Sequence, residues 1–139
     1  MPAAKPGSAK PDVPFAYAIL RVVPRVERGE RLNVGVVVFC RQRDFLDLRA
    51  QIDPERLAAL APDLDITSVR ESLEAIRTVV CGEPAGGALA ALEPSERFGW
   101  VVAPASTIIQ PSPVHTGLTD HPPATLDRLF DTLVATAGR

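Results

Sequence analysis

Lysine, asparagine and cysteine are nearly missing from this 139-residue chain. Cysteine occurs twice, at Cys40 and Cys81, too few for a disulfide framework, so a reducing cytoplasm is the expected setting. Both lysines, Lys5 and Lys10, lie near the N-terminus, and the other 13 of the 15 basic residues are arginines. Asparagine occurs once, at Asn33. GC-rich coding yields such a bias, so arginine enrichment by itself is no evidence of phosphate recognition. Long apolar runs are also lacking: Val34 to Cys40 has seven residues, against the roughly 20 a membrane helix needs. The N-terminus has no apolar core of a secretory signal. A formal net charge of −2 argues against a nucleic-acid coat or a polybasic membrane binder.

What is present suits a globular protein. With 46% apolar and 23% charged residues, the composition is that of an ordinary folded domain. A chain of this length fits one domain and can bury about two thirds of its unfolded surface. Residues 1–14 hold four of the fourteen prolines and no apolar periodicity, which predicts a disordered tail. Residues 15–139 then form a single α+β domain.

Phe15 to Val23 reads as a strand stopped by Pro24, Leu32 to Cys40 as a strand covered on both faces, and Phe45 to Arg49 as a third. Asp53-Pro54-Glu55 predicts a helix start, and Pro62 its end. Apolar residues from Ile66 to Val80 recur at helical spacing, with Ser68-x-x-Glu71 as a capping box and Gly82 as the stop. Phe98–Val102 and Thr107–Gln110 read as strands, and residues 111–123 as an extended polar loop. Pro122-Pro123 opens a final helix. The predicted order is β-β-β-α-α-β-β-α with a mostly antiparallel sheet. The expected core comprises Ile19, Val34, Val36, Val38, Leu73, Ile76, Trp100, Leu129 and Phe130. Charge is uneven: residues 15–49 carry +3, residues 50–96 carry −6, and the remainder up to residue 139 is neutral.

Chemistry is thinly signposted. Cys40, Cys81, His115 and His121 follow C-x40-C-x33-H-x5-H, without the close ligand pairs of a structural zinc site, so no metal or other cofactor is expected. Gly86-Gly87 precedes no lysine and reads as a flexible loop, not a phosphate loop. Two polar sets stand out. One is Arg21, Glu30, Arg31 and Asn33 around the first hairpin, where Arg–Glu pairing and an Asn33 turn cap are the plain alternatives to a site. The other lies in Ser106–Asp120, where Ser112, His115 and Asp120 could be drawn as a triad, although no nucleophile elbow is present. The plain alternative is a loop whose hydroxyls satisfy its own backbone.

The segments F-A-Y-A-I-L-R-V-V-P-R-V-E-R-G-E-R-L-N-V-G-V-V-V-F-C, at Phe15–Cys40, and S-T-I-I-Q-P-S-P-V-H-T-G-L-T-D, at Ser106–Asp120, resemble the bacterial domain of unknown function 3037 family. The resemblance extends from about Phe15 to Val134. It implies a small bacterial protein from a family to which no activity is assigned. It also implies a HipA-like serine/threonine kinase, encoded nearby in many genomes, as a partner. The family motifs fall on Arg21, Glu30, Asn33, Ser112, His115, Thr116 and Gly117. The expected function is a non-enzymatic protein-binding or regulatory module. The alternative is a nucleotide- or phosphate-binding protein or enzyme using Arg21, Asn33 and His115 in one pocket. Arg21 and Asn33 would have to lie within about 15 Å of His115 for one side-chain-built site to join them. His115→Ala and Ser112→Ala are both expected to weaken binding at little cost in stability.

Overall fold

The computed structural model describes residues 10–104 and 107–135. The first strand, β1 (Val13–Val22), begins two residues earlier than the sequence suggests, with Val13 buried. Pro11 is also engaged, its carbonyl accepting from Arg43 Nη2 at 2.6 Å. The expected tail over residues 1–9 lies outside the described residues. Strands β2 (Leu32–Cys40) and β3 (Phe45–Ala50) complete an antiparallel meander. Their turns close through Gly29 and Asp44, both at positive φ.

Helix α1 (Pro54–Leu60) starts as its sequence predicts: the Asp53 carboxylate accepts from the Glu55 and Arg56 N–H groups. Helix α2 (Ile66–Val80) spans the predicted residues but is capped differently. Its N-cap is Asp65, which accepts from the Thr67 N–H at 3.0 Å, so Ser68 lies inside the first turn and donates to Asp65. A short helix, α3 (Gly87–Ala90), and a longer one, α4 (Pro94–Val102), follow. Two short strands, β4 (Ile109–Pro111) and β5 (His115–Thr119), precede the final helix α5 (Pro122–Leu133). The fold is α+β with an antiparallel five-stranded sheet, as expected, with α3 and α4 added between the helical and second strand blocks.

Helix α4 replaces the strand expected at Phe98–Val102. Phe, Trp and Val favour strands, but Pro94 sits in the first turn and the Glu93 N–H donates to the Glu96 carboxylate. Helical spacing then turns Phe98 and Val101 inward, where Phe98 stacks on Phe39 with ring centroids 5.3 Å apart. Trp100 consequently points outward at 41% exposure, outside the core expected to contain it. The fourth strand is therefore Ile109–Pro111, and the predicted loop contains the fifth.

The sheet runs β3-β2-β1-β4, with β5 also paired to β1. One face carries Ala18, Leu20, Val22, Leu32, Val34 and Val37 against α1, α2 and α4. The other carries Val13, Phe15, Val36, Val38 and Cys40 against α5. Cover on both faces explains why β2 is almost uninterrupted apolar sequence. A bulge refines this alternation. Leu20 pairs Gly35 but Arg21 pairs Asn33, which makes Val34 the extra residue. Val34 and Leu32 therefore stay on the α2 face while Asn33 turns to the α5 face. Ile19 and Ile76 are only half-buried; the remaining predicted core residues, Trp100 apart, are buried. Among the described residues, no helix is long and apolar enough to cross a membrane.

Leu73→Ala is expected to cost about 2–5 kcal/mol by urea unfolding, because Leu73 is buried in the α2-side core. A loss below about 1 kcal/mol would show that the site collapses around the deletion. A second test concerns Arg77, which binds Glu74 and Glu83 at 2.6–3.0 Å and ties the last turn of α2 to the turn after it. Hydrogen bonds from Arg77 hold both carboxyls below their ordinary value of 4.5. Folded pKa values below the unfolded ones give stability that is full above about 4.5 and lost as pH falls through the folded values. Arg77→Gln should therefore destabilise the protein at neutral pH and lose that effect in acid. A difference that persists unchanged in acid would refute the linkage.

Candidate functional site

Strand β1 sets the geometry, because both polar motifs pair with it. Arg21 faces Asn33 on β2 and Gln110 on β4. Tyr17 faces His115 on β5, their rings 5.2 Å apart between centroids, and Phe15 faces Gly117. Side chains alternate along a strand, so Phe15, Tyr17, Ile19 and Arg21 share one face with their cross-strand partners. This is the face on which α5 covers β2 and β3. Four residues at about 3.3 Å each and one strand spacing of about 4.8 Å put Arg21 roughly 14 Å from His115, and Asn33, one strand farther, roughly 16 Å from it. Arg21, Asn33 and His115 therefore share one sheet face but stand at opposite ends of it, with Asn33 and His115 on strands to either side of β1.

The individual residues divide between holding the sheet and facing solvent. Ser112 is buried between β4 and β5. Its Oγ accepts from the Ile19 N–H at 2.8 Å and donates to the Pro113 carbonyl at 2.9 Å, while its own N–H donates to Ile19 O. It carries the β1 ladder across the junction where the partner strand changes, and its hydroxyl proton goes to a carbonyl, not to a base. Asn33 Nδ2 donates to Leu133 O at 3.0 Å, so it holds the C-terminus of α5, not the hairpin turn. Glu30 is paired by two bonds of 2.9 Å to Arg28 at the hairpin end, not to Arg21. Thr116 pairs Ala16 and so points to the opposite face from His115. His115 and Asp120 are exposed, and Ser106 lies outside the described residues.

Arg21 is half-buried. Its Nη2 donates to Pro111 O at 3.3 Å, and its Nε is shut from solvent with no partner among the described residues. Burial first, and then the positive charge of Arg31, pull its pKa below the usual arginine value. Gly117 is required by close approach: a Cβ there would stand 2.8 Å from the Phe15 ring. Two clefts lie elsewhere. One of about 860 Å³ separates Pro24–Glu30 from Ala59–Leu64, and another of about 340 Å³ lies between α2, α4 and β4 beside Trp100. Among the described residues, no group of three or more His, Cys, Asp or Glu could hold a metal ion.

Sequence reasoning missed Tyr17 as a member of this surface, and it counted Gln110 among the polar residues of Ser106–Asp120 without placing it beside Arg21. The alternation from Tyr17 to Arg21 could have found the first, since residues two and four apart on a strand share a face. Nothing local marks the place of Gln110 beside Arg21, which comes from a pairing 89 residues away in the chain.

A family model described as a protein of unknown function, DUF3037, matches residues 17–134. No curated protein and no solved structure matches the chain.

Ser112→Ala is now expected to be destabilising, contrary to the expectation from sequence. It removes the acceptor of the part-buried Ile19 N–H in mid-sheet, and a donor orphaned there costs about 1 kcal/mol or more. Urea unfolding measures the loss, and amide exchange at Ile19 localises it. A variant with wild-type stability and a still-protected Ile19 amide would show that water or a shifted strand replaces the hydroxyl.

Proposed function

The chain belongs to the DUF3037 family of proteins of unknown function, and from that premise we propose a non-enzymatic binding module whose recognition surface is the strip of sheet beside α5. One contrast carries the reading. The hydroxyl of Ser112 and the amide of Asn33 are both bonded to backbone, whereas the His115 imidazole stands exposed beside Tyr17. A nucleophile needs a base within hydrogen-bond reach, and the Ser112 hydroxyl is directed to a carbonyl instead. An aromatic pair on a rigid strand platform suits a docking contact, because little side-chain freedom is lost when a partner covers it.

The partner class proposed is a protein, and the resemblance to the family makes a HipA-like kinase encoded nearby the first to test. It would be met in the cytoplasm, a compartment that leaves Cys40 and Cys81 as the free thiols seen here.

Co-purification of the tagged protein with that kinase tests the reading directly. His115→Ala should reduce capture by about tenfold, the effect of losing about 1.4 kcal/mol of binding. Its melting temperature should stay near that of the wild type, since the side chain is exposed. Unchanged capture by a folded His115→Ala variant would overturn the role given to this strip.

A further inference from the structure

The two outer edges of the sheet, β3 on one side and β5 with β4 on the other, are finished differently. Gln51 N–H donates to Val34 O at 2.8 Å, which turns the main chain of Val34 towards β3. Main-chain direction alternates along a strand, so Val36, Val38 and Cys40 also face β3, and their partners Arg49, Asp47 and Phe45 face back. Leu46 and Leu48 on β3 are left facing outward. The outward Leu48 N–H is taken by the Asp47 carboxylate at 2.8 Å. Asp47 and Arg49 also put charge on this strand, a common guard against edge-to-edge pairing.

The β5 edge has neither guard. Cys40 Sγ donates to Pro14 O on the β2 side of β1, whereas Ser112 exchanges bonds with the Ile19 N–H and C=O on the other side. By alternation Val13, Phe15 and Tyr17 face β5, and Ala16 faces β2. Their partners Thr119, Gly117 and His115 therefore bond inward, and the N–H and C=O of Thr116 and Leu118 turn to the open edge. Among the described residues, no turn, loop or cap bonds to these groups. Residues 113–119 contain no Asp, Glu, Lys or Arg. Val114 and Leu118 are two of the five exposed large apolar side chains among the described residues, and they flank Thr116 symmetrically.

We propose that this edge pairs with the same edge of a second copy of the chain, β5 against β5, antiparallel about a twofold axis at Thr116. The register is self-complementary, as a twofold contact must be. Thr116 meets its own counterpart, Val114 meets Leu118 of the other copy, and His115 falls opposite Gly117, where its ring has room. Thr–Thr and aliphatic pairs are favourable cross-strand contacts, and no like charges stand opposite each other. Residues 1–9 are poorer occupants of the edge, because Pro2 and Pro6 lack the N–H that a ladder needs. A five-residue edge contact falls below the roughly 1,200 Å² of a stable complex, so the dimer forms and dissociates with concentration. The inference goes beyond the docking role: the joined sheet keeps both His115–Tyr17 pairs on its α5 face, open to a partner.

Sedimentation equilibrium of the full chain from about 10 µM to about 1 mM is expected to show reversible dimerisation, with Kd inside that range. Thr116 is exposed, so its replacement leaves the monomer folded. Thr116→Lys and Thr116→Glu each set like charges opposite one another across the axis and should weaken the dimer about tenfold or more. An equimolar mixture of the two should recover it as a heterodimer. Thr116→Pro removes an outward N–H without touching the β1 ladder and should weaken it as well. In the wild type, exchange of the Thr116 and Leu118 amides should slow as concentration rises, which tests the pairing without any variant. A chain still monomeric at about 1 mM, a dimer indifferent to Thr116→Lys, or a Lys–Glu mixture no more associated than either variant alone would overturn the pairing. Protection of these amides at every concentration would give the edge to residues 1–9, and protection gained only with the kinase would give it to a partner strand; either result overturns the pairing of two copies.

Discussion

Strand β1 is hydrogen-bonded along both edges, and the rest of the molecule is arranged around that requirement. On one side β2 pairs with it from Ala16 to Val22. On the other side β5 covers Val13–Tyr17 and β4 covers Leu20–Val22, leaving a gap at Ile19. Ser112 closes the gap through both its N–H and its Oγ. A buried backbone donor left open in mid-sheet would carry the full desolvation cost of an unpaired amide. That cost gives a polar serine a reason to sit at 5% exposure in an otherwise apolar neighbourhood.

The same constraint fixes what reaches the surface. Because β1 is central, each residue on it brings a cross-strand partner from a distant part of the chain, and the bulge at Val34 decides which face Asn33 takes. Had the ladder continued without the extra residue, Asn33 would point into the α2-side core and Val34 to the α5 face. With the bulge, an amide meets the last carbonyls of α5, and the row across the sheet becomes Asn33, Arg21 and Gln110. A polar row at one end and an aromatic pair at the other are therefore consequences of register.

The charge asymmetry follows the architecture. Acidic residues concentrate in the helical segment, where Asp53 and Asp65 cap helices and Glu74 and Glu83 bind Arg77. The hairpin end is arginine-rich, and Arg25 and Arg28 there have acidic neighbours in Glu27 and Glu30. Exposed pairs of this kind contribute little to stability. On the α5 side Arg49 is used differently, packing over the Phe130 ring at 4.3 Å while binding Asp127. Arg21 and Arg31 differ from these arginines in having backbone carbonyls as partners, Pro111 O and Gly29 O.

Elements whose cause is local were legible in the sequence. The boundaries of β2 and α1 follow from apolar period, an aspartate cap and a proline stop, and the span of α2 from its apolar period and glycine stop, although its cap is Asp65 and not the Ser68 box. The α+β class, the antiparallel meander and the final helix follow from the same cues, and so does the choice of Arg21, Asn33, Ser112 and His115 as residues of interest. What those residues do was not legible. Helix α4 depends on its cap outweighing the strand preference of Phe98 to Val102, a contest settled by burial against Phe39. Strand β5 has almost no alternation of its own and exists because β1 offers it a hydrogen-bonding edge. Ser112 is tied to Ile19 across 93 residues and Asn33 to Leu133 across 100. Sequence determines pattern over one helical turn or one strand. Partners that far apart are chosen only when the folded chain decides which backbone groups must be satisfied together.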